Sequence, residues 1–261
     1  MASSSPQLLD QGQIGSLKLP GLADDRAPVI AGGVVIFEAA FQALGIERMR
    51  VCESSMREGL LWDLLGRAGG SDPRTASIDA LATRYGVDRA QARRVESTAL
   101  VLFDQIASQW KLDAEAREWL SWSARVHEIG LAIAHSQHHR HGAYILRNAD
   151  LAGFSRQEQQ LLAAIVELHR RKPDKALISA LPQRYRLIAR QITALLRLAV
   201  LFRRARRAES LPALRLAATR QRLRLALPAA WLEQHPLTEA DLEQERAPMS
   251  DLGFTLALSA I

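Results

Sequence analysis

The chain has 261 residues, 48% hydrophobic and 24% charged, with 34 Lys and Arg against 28 Asp and Glu and a formal net charge of +6. Its length exceeds one typical domain and can bury a substantial core, and the composition is ordinary for a soluble globular protein. The single cysteine, Cys52, excludes an internal disulfide and a multi-cysteine metal site; the excess of Lys and Arg favours anionic partners, among them polyphosphate, nucleic acid and acidic membrane surfaces.

Residues 1–28 carry Ser, Gly and Pro without helical periodicity and read as a mobile arm. They show no secretory pattern, and no apolar run approaches the roughly 18 to 20 residues of a bilayer span, so a cytoplasmic protein without a membrane partner is expected. Gly32 and Gly33 precede an apolar helix over 34–44 that Gly45 can stop in a left-handed cap. Backbone amides beside such a glycine pair can approach a phosphate. A short strand over 49–52 and a helix over 56–65 follow, and the Gly- and Pro-bearing run 66–73 reads as a linker at a domain boundary.

Beyond the linker the pattern is helical. Asp88 can cap a helix with Ala92, Val95, Ala99, Leu102 and Ile106 on one face, and Asp113 can open the next, carrying Trp119, Trp122, Val126 and Ile129. Ser155 with Glu158 forms a capping box ahead of Leu161, Leu162, Ile165 and Leu168. The run from His169 to Lys172 then lies at a helix C-terminus, where cations are favoured by the macrodipole in any protein. Pro182 suits the start of a long helix reaching about Arg207, with Ile188, Ile192, Leu195, Ala199 and Phe202 inward. On that helix Arg186, Arg190, Arg197 and Arg204 fall within about 40° of one another at 100° per residue. Such a stripe could fork onto successive phosphates of a polyanion, or be a solvated face paired with acidic neighbours. In the last fifty residues Leu214 to Leu216, Leu223 to Leu227 and Phe254 to Leu258 alternate as half-buried strands do, and Thr238 with Asp241 offers a capping box for a short helix between them.

Three runs, in order, resemble the exopolyphosphatase / guanosine pentaphosphate phosphohydrolase (Ppx/GppA) family. The first is Gly32-Gly33 followed by Cys52-Glu53-Ser54-Ser55-Met56-Arg57-Glu58-Gly59. The second is Val126-His127-Glu128-Ile129-Gly130 with His135-Ser136 and His138-His139-Arg140-His141-Gly142. The third runs from Pro228 through Trp231 and His235-Pro236 to Glu245. The resemblance implies a mainly α fold: a remnant of a second actin-like α/β domain over 29–72, an HD-like helical domain over 73–210 and a small α+β domain over 211–261.

In this family the phosphate-holding D-x-G-S loop and the acidic residue that activates water lie in an amino-terminal domain, and no D-x-G-S stands in this sequence. The resemblance therefore implies a chain that binds polyanion and dimerises rather than doing the chemistry, with the catalytic half truncated, encoded elsewhere or never present. The complete enzyme would release terminal phosphate from inorganic polyphosphate or guanosine pentaphosphate with Mg2+. The resemblance also places Gly32 and Gly33 at the border of the phosphate cleft. Within the helical domain His138, His139, Arg140 and His141 either join the arginine stripe as candidates for polyanion contact, Arg140 and His141 foremost, or form a polar helix start whose imidazoles bond nearby carbonyls.

The metal-binding HD pattern asks for an early His and a His-Asp dyad. Here Gln91 and the dyad His127-Glu128 stand in those places, so a relict site without metal is expected. Two alternatives are a metal-dependent nucleotide phosphohydrolase of the HD type and a non-catalytic module binding polyphosphate or nucleic acid.

Overall fold

A computed structural model describes residues 26–46, 48, 72–207 and 211–260. The strand expected over 49–52, the helix over 56–65 and Cys52 lie outside the described residues. The chain divides into two compact units, 1–53 and 54–261.

In the first unit, helix α1 spans Ala27–Leu44 with a proline in its first turn. Gly45, at φ 62°, donates to Gln42 O, and Ile46 donates to Phe41 O, so the left-handed glycine closes the helix as its sequence suggests. The start differs from expectation. Pro28 is pre-organised for a first helical turn, so α1 begins inside the expected arm and Gly32 and Gly33 sit in the helix interior instead of in a turn before it. None of its residues is buried within its unit, and α1 is long and apolar enough to cross a bilayer by length and composition. This corrects the expectation that no run comes near that length; the core helix of a soluble domain has the same pattern.

The second unit begins where Asp72 accepts from the Arg74 amide and Pro73 fills the first position of α2 (Pro73–Arg84). Asp88, Asp113 and Ser155 cap α3 (Arg89–Trp110), α4 (Ala114–Val126) and α6 (Arg156–Leu168), the last with the reciprocal Glu158 bond of a capping box. Ile129 does not extend α4; it opens a 3-10 turn over Ile129–Ala132 that leads to α5 (His138–Asn148). Helices α5 and α6 form an antiparallel hairpin: a Cβ on Gly142 would stand 3.2 Å from Val166, while Gln159 donates to Leu146 O at 2.6 Å. The start of α5 therefore meets the end of α6.

After the short α7 (Lys175–Ala180), helix α8 spans Gln183–Phe202, and every residue from Gln191 to Ala199 is buried. It is covered on all sides because α10 (Pro236–Asp251) packs over the face that would otherwise be exposed. The basic stripe on this helix is therefore not a continuous exposed row.

Strands β1 (Arg215–Ala218) and β2 (Arg222–Leu227) are antiparallel. The chain crosses through α9 (Ala229–Gln234) and α10 to β3 (Thr255–Ala260), which runs parallel to β2 with Leu223 opposite Leu256 and Leu225 opposite Leu258. Polar side chains of α3 fasten β1 and its turn: Gln105 donates to Leu214 O and accepts from the Leu216 amide, and Trp110 Nε1 donates to Thr219 O at 2.7 Å. Leu216, Leu223 and Leu225 join the same core as the helices. The expected Thr238–Asp241 capping box is absent; Pro236 starts α10 earlier, and the Asp241 carboxylate bonds Arg204 instead.

Candidate functional site

The hairpin of α5 and α6 gathers histidines from three places. His127 ends α4, His138 and His139 start α5, and His169 ends α6; their exposures are 1, 3, 5 and 3%. The rings of His127 and His169 lie 5.5 Å apart edge to face, His138 and His169 5.8 Å, and His138 and His139 6.1 Å.

Backbone carbonyls fix the tautomers of His127 and His169. His127 Nδ1 donates to Ala124 O at 2.7 Å and His169 Nδ1 to Val166 O, so each presents an Nε2 lone pair that has no partner among the described residues. That is how a metal-ligating imidazole is oriented. Gln91 and Glu128 Oε1 are bonded elsewhere, however, and only the buried Glu128 Oε2 has no partner among the described residues. Glu128 accepts from Arg206 at 2.6 Å; the Gln91 amide is used at both ends, donating to Arg203 O at 2.8 Å and accepting from Arg94. Among the described residues no group of three or more His, Cys, Asp or Glu could hold a metal. Glu167, Asp174, Asp241 and Glu245 are each engaged by a cation or a backbone amide and form no oxygen cage of the kind Mg2+ takes.

Beside the histidines the surface opens into two recesses of about 570 and 420 Å³ that share Arg170 and Arg171. The first is walled by His135, Ser136, His139 and Arg140 from α5 and its approach, and by Arg170, Arg171 and Lys172 beyond α6. The second adds His169, Arg197, Arg204, Asp241 and Glu245. Their negative charges are already spent. Glu167 pairs with Arg147, Asp241 with Arg204, Glu245 with Arg197, and Asp174 caps α7. Arg140, Arg170, Arg171 and Lys172 have no carboxylate within ion-pair distance among the described residues.

The field of these cations acts on the imidazoles. Burial first, and then Arg170, His139, His127 and His135, push the pKa of His138 down to about 4. Burial followed by Arg140, Arg170, Arg171 and Arg197 does the same for His139. Burial holds His127 below its ordinary value and His169 well below it. Arg170 itself is lowered by burial and by Arg171 and Arg204. At neutral pH the histidines are uncharged, beside Arg140, Arg170, Arg171 and Lys172, which have no ion-pair partner among the described residues. Chemically, such an arrangement suits anions, which it can meet with charge-assisted hydrogen bonds.

The expected polyanion contacts divide. Arg140 is exposed in the wall of the first recess and Arg204 in the second, where it already pairs with Asp241. His141 is half-buried and lines neither. Arg197 is 5% exposed, bonds Leu168 O and Arg171 O, and forms a bidentate pair with Glu245, so it is a packing strut and not a member of an open stripe. Arg186 bonds the carbonyls of Ser179 and Leu181 at the end of α7, and Arg190 is half-buried with Nη1 near Gly253; neither lines either of the two recesses. The residues that sequence reasoning passed over are Arg170, Arg171 and Lys172.

Comparison with known proteins agrees with this architecture. Residues 74–246 match the family model of the Ppx/GppA phosphatase, domain III, and residues 5–68 that of the Ppx/GppA phosphatase family. A protein of Pseudoalteromonas translucida (strain TAC 125) described as guanosine-5'-triphosphate,3'-diphosphate pyrophosphatase is 35% identical over 247 residues, which are 94% of this chain and 50% of that protein. The chain thus spans about half the length of the curated relative it matches. With a family model over most of its length, this chain belongs to the Ppx/GppA phosphatase family.

Proposed function

We propose that the chain works as part of a phosphohydrolase acting on guanosine polyphosphate or inorganic polyphosphate, and that its helical unit holds the polyanion while the bond is broken elsewhere. Family membership and the relative's description support the substrate class. The binding role is carried by one observation: Arg140, Arg170, Arg171 and Lys172 surround a recess whose carboxylates are all engaged. A row of guanidiniums without counterions is what a chain of phosphates needs. The family resemblance extends the proposal to a cytoplasmic homodimer and to Mg2+ as charge compensation in the complete enzyme.

Incubation with long-chain polyphosphate and Mg2+, with bound polymer and free phosphate measured separately, tests this division. The chain should retain the polymer and release no phosphate by itself. Sustained release that disappears on removing Mg2+ would place the chemistry in this chain.

A further inference from the structure

Helix α5 starts without a side-chain cap. Gln137, at φ 56°, occupies the cap position, and the amides of His138 and His139 have no acceptor among the described residues. A helix amino end carries partial positive charge, which alone marks no site. The second observation is His139, which is 5% exposed, stands in the wall of the first recess, and leaves its buried Nδ1 without a partner.

The groups facing that ring are cationic or neutral from every side. Arg140 comes from α5 itself, Arg170 and Arg171 from the segment after α6, and Arg197 from α8, while the rings of His138 and His169 lie 6.1 and 6.5 Å away. His135 and Lys172 complete the rim. The two carboxylates, Glu167 and Asp174, are committed to Arg147 and to the Ala176 amide.

We propose that the amino end of α5 is a subsite for one doubly charged phosphoryl group of the polyanion, held by the His138 and His139 amides, the guanidiniums of Arg140 and Arg170, and the His139 imidazole. The assignment rests on the polyanion-binding reading above and deepens it. A bound dianion offsets the field that keeps His139 neutral, so occupancy favours protonation of the ring. By linkage, the site then holds its ligand more tightly as pH falls toward 5.

Sulfate is the suitable probe, because it is a tetrahedral dianion that does not titrate in this range. Its binding to the full chain and to His139→Gln is followed calorimetrically at pH 7 and pH 5, with the His139 ring signal of the parent, identified by its loss in His139→Gln, as a second readout. Affinity should rise roughly tenfold between the two pH values, since the ring's pKa can return from about 4 toward its ordinary value. That gain should vanish in His139→Gln. Arg140→Gln, at an exposed position, should weaken sulfate at both pH values without affecting the fold. Equal affinity at both pH values, or a pH gain that survives His139→Gln, would overturn the assignment. Long-chain polyphosphate, bound in parallel, separates the two levels. Polymer binding with no sulfate site removes only this subsite; loss of both removes the polyanion reading as well.

Discussion

Arg170 Nη1 donates to His138 Nε2 across 2.6 Å, a permanent cation bonded to an imidazole. Because a guanidinium only donates, the bond places the His138 proton on Nδ1 and requires the ring to stay neutral. The folded pKa values of His138 and His139 are about 4, below the ordinary value, so between the two the unfolded chain binds more protons than the folded one. Stability from this source is complete above about pH 6.5 and is lost as pH falls through about 4. Thermal melting from pH 7.5 to 4.5 should show the midpoint dropping by on the order of 5–10 °C. A flat profile would mean that the histidines are charged or hydrated in the folded protein.

Arg197 and Glu245 tie α8 to α10, with exposures of 4 and 13% at the side chains. Removing one partner of such a pair strands the other charge away from water, at a cost of about 3–5 kcal/mol. Glu245→Gln should therefore lower the urea-unfolding free energy by at least about 2 kcal/mol. Arg197→Met with Glu245→Leu should recover most of the loss. A single variant within about 0.5 kcal/mol of the parent would show that the pair is solvated.

Gly130 permits the close approach of the 3-10 turn to α5. A Cβ there would come within 1.9 Å of His138 O and 2.4 Å of the Gly142 amide, both backbone atoms that cannot step aside. Gly130→Ala should cost more than about 2 kcal/mol, because overpacking displaces the start of α5. It should also reduce anion binding, since His138 and His139 move with that helix. A stable variant with unchanged binding would show that the turn and α5 shift together.

Local signals in the sequence carried well. Asp88, Asp113, Ser155 with Glu158, and Gly45 all act as caps because each depends only on residues three or four positions away. The angular spacing of Arg186, Arg190, Arg197 and Arg204 misled, since it says nothing about how many faces of a helix are covered. A better signal was available: from Gln191 to Phe202 the one charge is Arg197, the pattern of a helix buried all round. Thr238 and Asp241 had the cap spacing, but Pro236 set the helix start. The cations of Arg170, Arg171 and Lys172 looked like ordinary helix-end residues, and only the antiparallel pairing of α5 with α6 sets them against His138, His139 and Arg140.

The polyanion-binding claim is tested most directly by long-chain polyphosphate affinity measured over a series of salt concentrations. The parent chain is compared with Arg170→Glu/Arg171→Glu in the recess and with Arg215→Glu/Arg224→Glu on the exposed face of the small sheet. Binding along a row of arginines releases counterions, so the recess variant should lose affinity about tenfold or more and its log–log salt slope should flatten by roughly 1.4, at about 0.7 per lost contact. The sheet variant should keep both affinity and slope. If the sheet variant loses binding and the recess variant retains it, the polyanion does not lie in the recess beside the histidines.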